Sequence, residues 1–240
     1  MKRSPLEIFD DNNPFIIAEL SSNHNGDINY AKELIQLACE SGASAVKLQT
    51  FQPYEMTLDS NNSYFKINDP DSLWNKRSLT DLYHQAYTPW EWHEELFRFA
   101  REIGITCFST PSDNEAVDLL ESLDCPLYKV ASFENCHLPL LRKIASTNKP
   151  VIVSTGISSL PEIDSVVSTL TENGCKKYAL LVCVSSYPAK AEDYNLKRIN
   201  TLREIYGCPV GISDHTLNNV VSISSIIMGG TIIEKHFISD

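Results

Sequence analysis

Eight short apolar runs recur along the chain, separated by stretches in which apolar residues return every three or four positions. The runs are FIIAEL (15–20), AVKLQT (45–50), ITCFST (105–110), LYKVAS (127–132), VIVST (151–155), ALLVCV (179–184), PVGIS (209–213) and TIIEKHF (231–237). Their length and β-branched or apolar content suit strands buried on both faces. Between them the period becomes helical. In DINYAKELIQLACESGA, residues Ile28, Ala31, Leu34, Ile35 and Ala38 share one face, with Asp27 near the start and Gly42 past the end. TPWEWHEELFRFAREIG predicts a helix with Thr88 as N-cap, Pro89 at the first helical position and Gly104 at its close. Segments 112–123, 138–147, 160–173, 192–206 and 217–228 read as helices on the same grounds.

Strand–helix alternation carried to eight strands predicts an α/β fold, a (β/α)8 TIM barrel occupying residues 1–240 as one domain. A doubly wound sheet shows the same alternation, but no GxGxxG follows the first strand. The segment 53–87 is too long for a simple loop after the second strand and is expected to shape a binding site. The sequence stops three residues after EKHF, so the eighth helix is not among these 240 residues. A barrel built from them alone is expected to be poorly stable, because its first strand and helix lose a neighbour.

Composition narrows the function. At 42% hydrophobic and 21% charged, with no low-complexity segment, the whole chain is expected to fold. A net charge of −11 argues against nucleic acid, which selects a basic surface. It leaves room for a small anionic ligand held by a few inward lysines. Seven cysteines stand singly, without a CxxC pair, as expected of reduced thiols in a cytoplasmic protein. The opening MKRSPLEIFDDNN has no apolar core of the kind a secretory signal needs, and no run approaches the roughly 18 apolar residues of a membrane span.

In such a barrel the chemistry lies at the carboxyl ends of the strands. Those ends carry Glu19; Lys47 and Gln49; Ser109 and Thr110; Lys129 and Ser132; Ser154 and Thr155; Ser185 and Ser186; Ser213, Asp214 and His215; and Glu234 and His236. Strand alternation puts Lys47 with Gln49, Ser213 with His215, and Glu234 with His236 on common faces. Two imidazoles at neighbouring strand exits, each with an acid close by (Asp214, Glu234), suit a divalent metal completed by water and substrate oxygens. Mn2+ is the leading candidate, with Zn2+ or Fe2+ as alternatives. Lys47 and Lys129 within apolar strands each require an anionic partner. That partner is either an internal Glu19 or Glu234, or a bound anion that also meets the hydroxyls of Thr110, Ser132, Ser154 and Ser213. Of the remaining histidines, His24 in SSNHNG is a candidate for the pocket, and His84, His93 and His137 are expected on the surface or on helices.

The blocks IIAELSSNHNGD, SGASAVKLQTF, CFSTPSD, YKVAS, VIVSTG, SSYPA, GISDHT and IIEKHF resemble, in order and over nearly the whole chain, the sialic acid synthase family. SLTDLYHQAYTPWEWHEELF and SSYPAKAEDYNL resemble its pseudaminic acid branch. The resemblance implies condensation of phosphoenolpyruvate with an amino-sugar aldehyde, in this branch 2,4-diacetamido-2,4,6-trideoxy-L-altrose, and water. The products would be a nonulosonic acid and phosphate. It implies that His215 and His236 hold Mn2+, with Glu234 beside the metal. Lys47, Lys129, Thr110, Ser132, Ser154 and Ser213 would hold phosphoenolpyruvate, with Ser185 near it, and Glu19 and Tyr187 would face the sugar. N-acetylneuraminate or legionaminate synthesis, or a ligand-binding barrel without turnover, stay open as alternatives. Three departures from the family pattern, Val184, Asn218 with Asn219, and Ser112, remove no expected ligand. The family continues into a small antifreeze-like domain that lends an arginine to its dimer partner; a homodimer is implied for the full-length protein, and that domain is not among these residues.

Overall fold

Each of the eight apolar runs forms a strand, and the strands close on one another. The computed structural model describes residues 13–70, 72 and 74–239; the basic start of the chain lies outside them. The strands are β1 (Phe15–Glu19), β2 (Ala45–Thr50), β3 (Thr106–Pro111), β4 (Tyr128–Val130), β5 (Val151–Ser154), β6 (Tyr178–Cys183), β7 (Val210–Asp214) and β8 (Ile232–His236). They form a closed, all-parallel barrel in sequence order, with β1 pairing β8 over Phe15↔Ile232 to Glu19↔His236. This is the expected TIM barrel. Between strands lie α1 (Ile28–Glu40), α2 (Pro53–Met56), α3 (Leu79–Ala86), α4 (Trp90–Ile103), α5 (Asn114–Ser122), α6 (Leu138–Ser146), α7 (Leu160–Glu172), α8 (Lys197–Tyr206) and α9 (Val220–Ile227).

The helices turn their apolar stripes onto the barrel. Ala31, Leu34, Ile35 and Ala38 of α1, and Leu96, Phe97 and Ala100 of α4, are buried against the outward side chains of the strands. Asp27 caps α1 by accepting from the Asn29 amide at 2.8 Å, and Gly104 ends α4 in the left-handed region at φ +88°. The insert 53–87 folds into α2, one 3-10 turn at Ser63–Phe65 and α3. Within the described residues no helix follows β8, and Ile16 on the outer face of β1 is 43% exposed. No helix among them is long and apolar enough to cross a membrane.

Helix starts were the least accurate expectation. The N-cap of α4 is Pro89 rather than Thr88, because the Thr88 hydroxyl turns inward to meet His24 Nε2 at 3.2 Å. The helix expected over 192–206 begins at Lys197, preceded by a 3-10 turn at Ala191–Asp193.

His93 lies on a helix as expected but is wholly buried, with Nε2 2.8 Å from the Thr50 hydroxyl and Nδ1 3.1 Å from the Pro89 carbonyl. Burial pushes its imidazole down to about 4 from an ordinary 6.5. The unfolded chain therefore binds this proton first as pH falls. The contribution of His93 to stability is full above about pH 6.5 and is lost toward pH 4, by about 3 kcal/mol from the linkage relation. Urea unfolding at pH 7 and pH 4.5 is expected to show a steeper loss in the parent than in His93→Gln; equal losses would contradict this assignment.

Candidate active site

Alternation along β2 sends Lys47 and Gln49 into the barrel, while Val46, Leu48 and Thr50 face the helices. The same rule brings Glu19 of β1, Thr110 of β3, Lys129 of β4, Ser154 of β5, Cys183 of β6, Ser213 of β7, and Glu234 and His236 of β8 to the inner mouth. Ser132, Ser185, Tyr187 and His215 join them from the turns just beyond their strands. Together they line a narrow pocket of about 70 Å3, so the twelve residues that the family resemblance gives a role in the site share one enclosure. Gln49, Thr110, Ala131, Phe133 and Tyr187 also border a wider cavity of about 870 Å3. Phe51, Met56, Trp74, Leu82 and Tyr83 give that cavity an apolar wall, and Arg77, His84 and Glu134 supply polar groups. The insert 53–87 provides much of this wall, as its length suggested.

The pocket floor is built of paired opposite charges. Lys47 pairs with Glu19 and donates to the Thr110 hydroxyl at 2.9 Å. Lys129 donates to the Ser154 hydroxyl at 2.7 Å and the Val130 carbonyl at 2.9 Å, and stands 3.8 Å from Glu234. Both lysines are nearly inaccessible, at 4% and 2% exposure. The internal pairing anticipated as one answer to their burial is therefore present, but incomplete. Glu234 Oε1 accepts from Ser213 at 3.0 Å, whereas its buried Oε2 has no hydrogen-bond partner among the described residues. Burial, with Glu234 adding to it against Lys47, pushes the Glu19 carboxyl up to about 7. Burial raises Glu234, but Lys129, Lys47, the Ser213 hydrogen bond and His236 together hold it below the ordinary carboxylate value, so that carboxyl stays ionised. Two ammonium groups facing one firm carboxylate and one that titrates near neutrality leave the floor receptive to an anion.

The two imidazoles stand side by side, ring centroids 5.5 Å apart. The ring of Tyr187 covers them, 4.2 Å from His215 and 5.7 Å from His236. His215 Nδ1 lies 2.8 Å from the Val184 carbonyl, which fixes a proton there and turns Nε2 inward, 3.3 Å from the Ser213 hydroxyl. Burial, His215 and Lys47 push His236 down to about 4, so it is a neutral imidazole at pH 7. Burial also works against a charged His215, but Cys183, the Val184 carbonyl and Glu234 together hold that ring above the ordinary imidazole range. Among the described residues no three His, Cys, Asp or Glu side chains gather to hold a metal unaided. The donor chemistry nonetheless fits a divalent cation: two imidazoles share the pocket with the unpartnered Glu234 oxygen, and water or substrate oxygens would complete the set.

Several strand-end groups face elsewhere. Asp214, expected beside the imidazoles, points to the outer face and accepts from Thr216, Ser222 and Lys235. Ser109 bonds Thr50 beneath α4, the Thr155 hydroxyl donates to the Leu181 carbonyl, and Ser186 is exposed. His24 is buried between Thr88 and Trp92 and does not line the pocket. Cys183 and Glu134 were not anticipated. Cys183 shares strand parity with Ser185, a signal that would have found it; Glu134 sits in an irregular turn that carries none. At the departures from the family pattern, Val184 acts through its backbone carbonyl on His215, and Asn218 accepts from the Thr216 hydroxyl at its carbonyl and from the Val220 amide at its side-chain Oδ1.

A closed (β/α)8 barrel whose carboxyl-end mouth joins two buried lysines to a pair of imidazoles defines a class of barrel with a charged-ligand centre. The NeuB family profile matches residues 34–240, and the chain belongs to that family. The pseudaminic acid synthase of Helicobacter pylori is 47% identical over 225 residues, covering 94% of this chain and 66% of the relative. That of Campylobacter jejuni serotype O:2 is 41% identical, covering 96% and 66%. The crystal structure of N-acetylneuraminic acid (sialic acid) synthetase from Leptospira borgpetersenii, in complex with citrate, superposes with a TM-score of 0.84 at 32% identity, covering 95% of this chain and 75% of that one. The chain spans about two thirds of the length of the curated relatives it matches.

Proposed function

We propose that the protein condenses phosphoenolpyruvate with 2,4-diacetamido-2,4,6-trideoxy-L-altrose and water, giving a pseudaminic-type nonulosonic acid and phosphate. The observation that carries this is the convergence of Lys47 and Lys129 with His215 and His236 in one pocket that borders a larger, apolar-walled cavity. In this reading Lys47 and Lys129 hold the carboxylate and phosphate of phosphoenolpyruvate, aided by the hydroxyls of Thr110, Ser132, Ser154 and Ser213, with Ser185 alongside. The charges are in place before the substrate arrives, so stabilisation of the transition state costs little reorganisation. The sugar lies toward Tyr187 and Glu19, where Phe51, Trp74 and Leu82 suit its methyl and acetamido groups better than a chain of bare hydroxyls.

C3 of phosphoenolpyruvate attacks the sugar aldehyde carbon, and a water molecule adds at C2, which carries positive character. Glu19, titrating near neutrality, supplies the proton taken up by the former aldehyde oxygen. The proton that the added water loses returns to Glu19, and the tetrahedral intermediate then expels phosphate by C–O cleavage, its C2 hydroxyl proton leaving with the phosphate. A divalent cation, Mn2+ on this reading, would be held by His215 and His236 with Glu234 beside it, and would polarise the aldehyde as a Lewis acid. A homodimer in the cytoplasm belongs to the same reading, supported by the family resemblance.

Phosphate release that requires both substrates is the first expected result. With phosphoenolpyruvate labelled by 18O at the bridging oxygen, the label is expected in phosphate. Label retained in the sugar acid would contradict the route. A panel including N-acetylmannosamine and the legionaminic precursor is expected to favour the trideoxy altrose sugar; preference for either of the others would reassign the branch, and binding without turnover would leave a ligand-binding barrel.

A further inference from the structure

On the outer face of the barrel, directly behind the imidazoles, the residues that precede them are joined to each other. Asp214 and Lys235 are the final paired residues of β7 and β8. Their side chains close that last rung a second time, with Lys235 Nζ 3.1 Å from Asp214 Oδ2. Lys235 Nζ also donates to the Thr216 carbonyl at 2.6 Å, reaching past His215. Asp214 is fully buried; it accepts from the Thr216 amide at 2.9 Å, the Thr216 hydroxyl at 2.8 Å and the Ser222 hydroxyl of α9 at 2.6 Å. The end of β8 is thus tied to the β7–α9 turn one residue away from each imidazole.

The two histidines are not held alike. His215 is fixed through its ring by the Val184 carbonyl and through its amide by the Tyr194 hydroxyl at 2.9 Å. Among the described residues the His236 ring has contacts with Tyr187 and His215 but no hydrogen bond. Its position therefore follows that of β8, whose end is paired to β1 at Glu19↔His236 and whose last tie to β7 is the Lys235–Asp214 pair.

We propose that Asp214 and Lys235 are positioning residues that set the spacing of His215 and His236, and so the affinity of that pair for a divalent cation. This rests on reading the two imidazoles as cation ligands. Loss of the lysine is cushioned in the folded state, although Asp214 is buried. Lys235 is partly solvated, the rungs Ile212↔Ile233 and Ser213↔Glu234 already fix the register, and Asp214 keeps three other donors when the lysine is lost. What the pair restrains is the splay of the two strand ends beyond the last rung.

The test is Mn2+ titration followed by the electron paramagnetic resonance of free Mn2+, beside calorimetry of phosphoenolpyruvate binding without metal. Lys235→Met is expected to bind Mn2+ about 10–100-fold more weakly, the usual range for losing a group that orients a metal ligand. Its phosphoenolpyruvate affinity and urea midpoint should stay close to those of the parent, and Lys235→Arg should recover Mn2+ affinity. Asp214→Asn, which keeps the side-chain shape, should weaken Mn2+ in the same way and serves if Lys235→Met folds poorly. Parental Mn2+ affinity in Lys235→Met or Asp214→Asn would overturn the proposal. A parent that binds Mn2+ no better than His215→Ala would instead overturn the cation site itself, and this role with it.

Discussion

Lys129→Met is expected to lose phosphoenolpyruvate binding almost entirely. The lysine is 2% exposed, and its ammonium makes two hydrogen bonds inside the barrel, to Ser154 and the Val130 carbonyl. An anion in the pocket would therefore meet it already oriented and desolvated. Removing one partner of a buried, hydrogen-bonded charge pair costs about 2–5 kcal/mol. At about 1.4 kcal/mol per factor of ten, affinity should fall roughly 30- to 3,000-fold by calorimetry. The substitution also strips Glu234 of a cation, so stability must be separated from binding. In Lys129→Met/Glu234→Gln both charges are gone. Its unfolding midpoint should recover toward the parent while phosphoenolpyruvate binding does not. A Lys129→Met protein that binds phosphoenolpyruvate as the parent does would remove this residue from the site.

The second large effect separates binding from turnover. His215→Ala, like chelation of metal from the parent, is expected to abolish phosphate release while leaving phosphoenolpyruvate bound. The reason is geometric: the proposed partners of the anion are Lys47, Lys129 and the strand-end hydroxyls, whereas the imidazoles lie at the Tyr187 side of the pocket. Restoring Mn2+ should revive the chelated parent and not the variant. If phosphoenolpyruvate affinity fell in His215→Ala as far as turnover does, the two functions would share one set of groups and the division proposed here would be wrong.

Most of the barrel is readable from the sequence because its strands are buried on both faces and so appear as largely apolar runs, interrupted inside by Lys47 and Lys129, that turn polar at the mouth. The site is readable for the same reason: strand alternation sends Lys47, Ser213 and Glu234 inward, and the twelve residues that the family resemblance gives a role line one pocket. The errors arise where that rule was not applied or does not reach. Asp214 precedes an inward His215, so alternation requires it to face out, and it does. Ser109 neighbours Thr110 in the same way and bonds Thr50 on the outer face. His24 and Thr88 lie in turns that have no period, and only tertiary packing brings them together. The same is true of Trp74, Arg77 and Glu134, whose approach to the outer cavity depends on how the insert 53–87 and the turn after β4 fold back over the mouth.

The central claim is that one barrel rim holds an anion and a cation within reach of each other. Paramagnetic relaxation of the 31P signal of bound phosphoenolpyruvate by Mn2+ tests it most directly. Strong broadening in the parent, lost in His215→Ala with phosphoenolpyruvate still bound, is the predicted result. A 31P signal that Mn2+ leaves sharp while both ligands are bound would contradict it.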